Sequence, residues 1–190
     1  MEGASVMRLF LAILFEEPVK DRLCEAMELI RRSTRTSRLT RRENLHLTLV
    51  FLGELREAGK VREVMEEIRT GPFPLEIRGL GRFQRDGGDL YWAGIEPSLP
   101  LQNLYLELKN ALAGKGIAVE DRPYRPHLTL ARQAGEARPG ENYRRISHEE
   151  IDFSGRYHGR GKKLGMQGAS SKADAVGMAG WGLVLEFKSL

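Results

Sequence analysis

His46-Leu47-Thr48-Leu49 recurs unchanged 81 residues later as His127-Leu128-Thr129-Leu130, and the reading of this pair decides the rest. Side chains alternate along an extended strand, which groups His46, Thr48 and Val50 on one face and Leu45, Leu47, Leu49 and Phe51 on the other. The same alternation separates His127, Thr129 and Ala131 from Leu128 and Leu130. The leucine faces ask for a core. Histidine and threonine on a strand otherwise built for burial cost stability unless water or a partner satisfies them, so both polar pairs are expected to line a wet cavity.

Outward from the first tetrapeptide, residues 9–14 are almost wholly apolar and bounded by polar residues, as in a strand covered on both faces. Glu16 and Glu17 precede Pro18, which a first helical turn tolerates, and Val19, Leu23, Met27 and Ile30 then recur at helical spacing. Cys24 borders this stripe and reads as a buried, inert thiol. A basic Ser/Thr-rich loop over 31–42 leads to a strand over 45–52. Val61, Val64, Met65 and Ile68 mark a second helix, closed by Gly71-Pro72.

The second half repeats this order. The offset of 81 carries Leu9, Phe10 and Ala12 onto Leu90, Tyr91 and Ala93, Leu23 onto Leu104 and Met27 onto Leu108, so the chain reads as an internal duplication with lobes over about 7–80 and 88–150 of a single bilobal domain. Leu101, Leu104, Leu108 and Leu112 line the helix of the second half, which Ser98 is expected to cap and Gly114 or Gly116 to stop. Residues 73–80 and 81–85 read as two short strands joined through glycines, followed by an Asp86-Gly87-Gly88 turn. The stretch 154–182, with eight glycines from 155 onward and no sustained period, reads as irregular, and 183–188 as a closing strand.

A length of 190 residues suits one domain or two small lobes, and 41% apolar with 29% charged residues excludes disordered, collagen-like and membrane-embedded classes. One cysteine cannot close an intramolecular disulfide, and the apolar run over 9–15 is too short to cross a bilayer and lacks a small-residue cleavage pattern. These features lead us to expect a cytoplasmic protein without a membrane partner. Net charge +4 and a pI near 9.3 favour polyanions mildly, and equally fit an ordinary solvated surface.

Two imidazoles, each with an ordinary pKa of about 6.5, supply one base and one acid near neutral pH, which is what phosphodiester cleavage needs. The threonine hydroxyls can donate to the non-bridging oxygens, and the scheme requires no metal or other cofactor. With six threonines in the chain, finding one two places after each of two chosen histidines is on the order of one in a thousand by composition. The competing readings are a duplication that copied a structural His-x-Thr, and metal binding by the two histidines, for which no carboxylate or cysteine stands at ligand-like spacing.

Beyond this pair, Met7-Arg8-Leu9-Phe10, the segment Glu43-Asn44-Leu45 before His46, Phe51-Leu52-Gly53-Glu54, and Arg122-Pro123-Tyr124-Arg125-Pro126 before His127 together with Ala131-Arg132 resemble the two-histidine (2H) phosphoesterase superfamily. Within it they are close to the RNA 2',3'-cyclic phosphodiesterases, also called 2'-5' RNA ligases. The resemblance implies an α+β fold, bilobal, with duplicated strand-helix-strand units and mainly antiparallel sheets around a central cleft. The strand-helix-strand pattern alone also admits parallel pairing.

The activity implied is hydrolysis of RNA 2',3'-cyclic phosphate ends to 2'-phosphates. Carried over from the resemblance, His46 would protonate the departing 3'-oxygen and His127 would activate water, roles that the residues themselves leave interchangeable, while Thr48, Thr129 and Arg132 would bind the phosphate. Strict alternation puts Arg132 opposite His127, so it reaches the cleft only where the strand ends or twists. Arg38, Arg41 and Arg42 are candidate guides for RNA phosphates, and Tyr124 and Phe83 candidate base-stacking aromatics; His148 and His158 read as surface residues. The partners expected are RNA ends, tRNA fragments among them, or small cyclic nucleotides, met by a monomer. Three alternatives stay open: 2'-5' ligation, another cyclic phosphate or 2'-5' oligonucleotide as substrate, and an idle RNA-binding module. The tail carries only a broken echo of the two apolar strands with which relatives end.

Overall fold

The computed structural model describes residues 7–55, 58–71, 73–139, 173–175 and 183–188. In chain order the elements are β1 (Met7–Leu14), α1 (Glu17–Ser33), β2 (Arg38–Leu39), β3 (His46–Leu55), α2 (Ala58–Glu67), β4 (Ile77–Phe83), β5 (Asp89–Ile95), α3 (Leu99–Gly114), β6 (His127–Ala134), β7 (Ala173–Ala175) and β8 (Leu183–Lys188). Among the described residues the strands form two four-stranded sheets, ordered β3-β1-β8-β7 and β2-β6-β5-β4. Every pairing among them is antiparallel. The fold is therefore α+β, as the resemblance implied, and the parallel alternative is excluded. Among the described residues, no helix is long and apolar enough to cross a membrane.

Helical periodicity holds where it was read. α1 begins with proline in its first turn, where the missing N–H is no loss, and buries Val19, Leu23, Met27 and Ile30. α3 buries Leu101, Leu104, Leu108 and Leu112. Ser98 occupies its N-cap position in extended conformation, yet its hydroxyl makes no capping hydrogen bond. The helix is stopped instead from the far end: Gly116 takes a φ of +78°, and the N–H groups of Gly116 and Ile117 donate to the carbonyls of Ala113 and Leu112 at 2.9 and 3.0 Å.

Four readings change. α1 runs to Ser33, and β2 forms within the basic stretch because Arg38 and Leu39 pair with Arg132 and Ala131. The two short strands expected between 73 and 85 are one, β4, which passes an irregularity at Gly79 and continues through Gly81 in its ladder to β5. The stretch read as irregular contains β7, which pairs with β8, and β8 in turn lies along β1. The rest of 154–182 falls outside the described residues, as do His148 and His158. Finally, Cys24 is only half-buried, with its Sγ 3.6 Å from an Arg42 nitrogen.

The two sheets share one hydrophobic core, in which Leu47, Leu49, Leu128 and Leu130 are all buried. α1 leans on β6 and α3 on β3, so the helix of each half braces the histidine strand of the other, while β3 and β6 touch directly. Each fully buried leucine contributes about 1.5–3 kcal/mol to this arrangement.

Candidate active site

Both histidine strands leave strict alternation at the same place. Along β3, His46 and Thr48 are partly exposed, Leu47 buried, then Leu49 and Val50 are buried together and Phe51 is exposed. Along β6, His127 and Thr129 are partly exposed, Leu128 buried, then Leu130 and Ala131 are buried together and Arg132 is exposed. The ladders give the cause. Ala12 pairs with Thr48 and Leu11 with Val50, which leaves Leu49 as an extra residue; Trp92 pairs with Thr129 and Tyr91 with Ala131, which leaves Leu130. Each is a β-bulge that puts one residue of phase into the strand.

The expectation that Val50 and Ala131 share the histidine face is thereby corrected, since both lie in the core. Arg132 is brought round to the face of His127 and Thr129, which removes the obstacle that alternation had raised.

The bulges also correct the repeat. Thr48 faces Ala12 and Thr129 faces Trp92, while His46 faces Leu14 and His127 faces Gly94. The histidine strands are thus related by 81 residues and their neighbouring strands by 80, so Ala12 corresponds to Trp92 and not to Ala93. That slip hid Trp92 from the sequence reading. Its indole lies flat over Gly81, where any Cβ would come within 2.0 Å of the ring, so only glycine fits beneath it. The indole Nε1 is buried and has no hydrogen-bond partner among the described residues.

Aromatic rings fix both imidazoles, by different contacts. His46 stacks on Phe10 with ring centroids 4.7 Å apart, and its Nδ1 is withdrawn from solvent. His127 meets the edge of Phe83 at 5.8 Å and of Trp92 at 6.2 Å. Its Nδ1 stands 2.8 Å from the Arg125 carbonyl. A carbonyl only accepts, so Nδ1 carries the hydrogen, and a neutral ring keeps its lone pair on Nε2.

The threonines are held by their backbones. Tyr124 donates its hydroxyl to the Thr48 carbonyl at 3.3 Å, and Thr40 Oγ1 donates to the Thr129 carbonyl at 2.9 Å. Tyr124 also stacks on Tyr105 at 4.4 Å, and burial pushes its ionisation well above the ordinary tyrosine value. It braces the loop before β6 against β3, whereas Phe83, the other aromatic singled out, lies against His127. Of the three arginines ahead of the first motif, Arg42 is committed to α1 through ion pairs with Glu17 at 2.7 Å and Asp21 at 2.8 Å. Arg41 is exposed. Arg38 pairs across the ladder with Arg132, so their side chains emerge on one face.

Burial, then the like charges of Arg85 and Arg38, depress the ionisation of Arg132. Among the described residues, no group of three or more His, Cys, Asp or Glu side chains gathers as metal ligands. The arrangement offers two imidazoles, two hydroxyls and a guanidinium on the solvent-reaching faces of touching strands, groups whose chemistry is anion binding and proton exchange.

Residues 19–154 match the family model of the 2'-5' RNA ligase superfamily. An RNA 2',3'-cyclic phosphodiesterase of Thermotoga maritima is 36% identical over 132 residues, 66% of this chain and 70% of that protein. One from Geobacillus stearothermophilus is 33% identical over 102 residues, 50% of this chain and 32% of the relative, so the chain spans about a third of that longer protein. Among solved structures, E. coli LigT complexed with 3'-AMP superposes with a TM-score of 0.60 at 28% identity, covering 70% of this chain and 76% of that one.

Proposed function

The chain belongs to the 2'-5' RNA ligase superfamily, and as an RNA 2',3'-cyclic phosphodiesterase of that family we propose that it opens the cyclic phosphate with His46 and His127 alone, without a metal. His127 takes a proton from water through Nε2 as the new O–P bond forms. The bond from phosphorus to the 3'-oxygen breaks, and His46 gives that oxygen its proton, leaving a 2'-phosphate. Thr48 and Thr129 donate to the non-bridging oxygens, and Arg132 balances the charge that accumulates there.

The observation that carries this reading is the matched bulge after each His-x-Thr. Both polar pairs lie on partly exposed faces with Leu49 and Leu130 buried behind them, and the bulge turns Arg132 toward the same side as His127. The bond from His127 Nδ1 to the Arg125 carbonyl favours the base role for that ring, since it leaves Nε2 bare when neutral. The nucleotide bound to the E. coli neighbour is a ligand of the right chemistry for such a cleft.

The test is product analysis on a nucleoside 2',3'-cyclic phosphate in excess chelator. A 2'-monophosphate should form at an undiminished rate, with His46→Ala and His127→Ala each nearly silent. Loss of turnover on metal removal, or turnover retained in both variants, would defeat the scheme.

A further inference from the structure

Beside the histidine face lies a cavity of about 330 Å³ lined by Arg38, Arg85, Gly87, Gly88, Leu90, Arg132 and Gln133. We propose that it is a second phosphate site, which holds the phosphodiester neighbouring the reacting one, so that an RNA end is gripped at two consecutive phosphates. This rests on the hydrolytic reading above and extends it to substrate length.

Three elements bring the guanidiniums together. Arg38 stands directly across the ladder from Arg132. Arg85 comes from the turn joining β4 to β5, which is laid against β6 so closely that a Cβ at Gly88 would stand 2.8 Å from the Gln133 backbone. Gly88 at φ +101° and Gln133 at φ +51° are the backbone conformations that allow this approach. None of the three arginines has a carboxylate partner among the described residues, in contrast with Arg22, Arg31, Arg42 and Arg122, which all do. Like charges gathered without counter-charge destabilise the fold, and a bound anion offsets that cost.

Position gives the anion's origin. Arg132 follows Thr129 on the same face with the bulge between them, an advance of about 7 Å for two strand residues and slightly more with the third. A group held there is a near neighbour of a phosphate held by Thr129. A volume of about 330 Å³ is at the small end of ligand pockets, suited to a phosphate and part of its sugar.

The experiment compares kcat/KM on a nucleoside 2',3'-cyclic phosphate, a dinucleotide ending in the same group, and that dinucleotide with a neutral methylphosphonate linkage. The wild-type chain should favour the charged dinucleotide by about tenfold or more, and the neutral linkage should erase the preference. Arg85→Gln should bring it close to one while leaving turnover of the mononucleotide within about twofold, with Arg38→Gln acting in the same direction.

A wild-type preference below about twofold, or one that survives the neutral linkage or Arg85→Gln, would overturn the proposal. The same comparison read as Kd, with a nucleoside 2'-monophosphate against a dinucleotide 2'-phosphate, reports on the cavity even if no substrate is turned over. Failure of the hydrolytic reading and failure of the second site are thereby told apart.

Discussion

The two halves of the site carry the same tetrapeptide and the same bulge, but three residues beyond each threonine they part: the next exposed place is taken by Phe51 on β3 and by Arg132 on β6. The surroundings diverge likewise. β3 is an edge strand whose inner neighbour sets Phe10 against His46, whereas β6 lies between β2 and β5 and gathers Arg38 and Arg85 around Arg132. On the proposed mechanism the repeated tetrapeptide supplies a balanced pair of proton-transfer groups, and the differing surroundings give the pair a direction, with an aromatic wall beside His46 and the proposed anion site beyond Thr129. An asymmetric substrate, charged along one side of its reacting phosphorus, can settle on such a site one way round.

The comparison breaks first at the histidines. If the halves contribute equally to proton transfer, His46→Ala and His127→Ala should each lower kcat on a nucleoside cyclic phosphate by about 10³-fold. Losses differing by more than tenfold would mean that one ring carries the chemistry. Next come the bulge leucines. Leu49 and Leu130 are buried at equivalent points, so Leu49→Ala and Leu130→Ala should each cost about 2–5 kcal/mol of stability in denaturant unfolding; a cost confined to one half would show that only one bulge is supported by the core.

A smaller effect distinguishes the two ends. Arg132→Leu should reduce kcat/KM by about 30-fold and weaken its dependence on salt, because a charged contact to phosphate is lost. The smallest change is expected at Phe51, which is 41% exposed. Phe51→Leu should lower kcat/KM only about two- to threefold with the salt dependence intact, as loss of a stacking surface would. Equal salt effects in the last two variants would erase the proposed polarity of the site.

Much of this was legible without coordinates because it depends on local pattern. Period-two alternation identifies β3 and β6, helical spacing identifies α1 and α3, and the exact recurrence of His-Leu-Thr-Leu reveals the duplication. Alternation misassigned Val50 and Ala131 and seemed to bar Arg132, because it assumes one residue opposite one. The slip from 81 to 80 residues on the neighbouring strands concealed Trp92 for the same reason. Arg85 carried no signal at all, standing in a turn whose position against β6 depends on Gly88 and Gln133.

The amino-acid order alone thus determined the two histidine strands, β1 and the helices α1 and α3, the recurrence of one tetrapeptide, and which side chains have no business in a core. Tertiary pairing decided which of those side chains meet. A bulge belongs to two strands at once: the extra residue exists only relative to the partner it fails to face, so phase beyond Leu49 and Leu130 is set by the ladders with β1 and β5. The same dependence brings Arg38, Arg85 and Arg132 from three separate stretches of chain to one cavity.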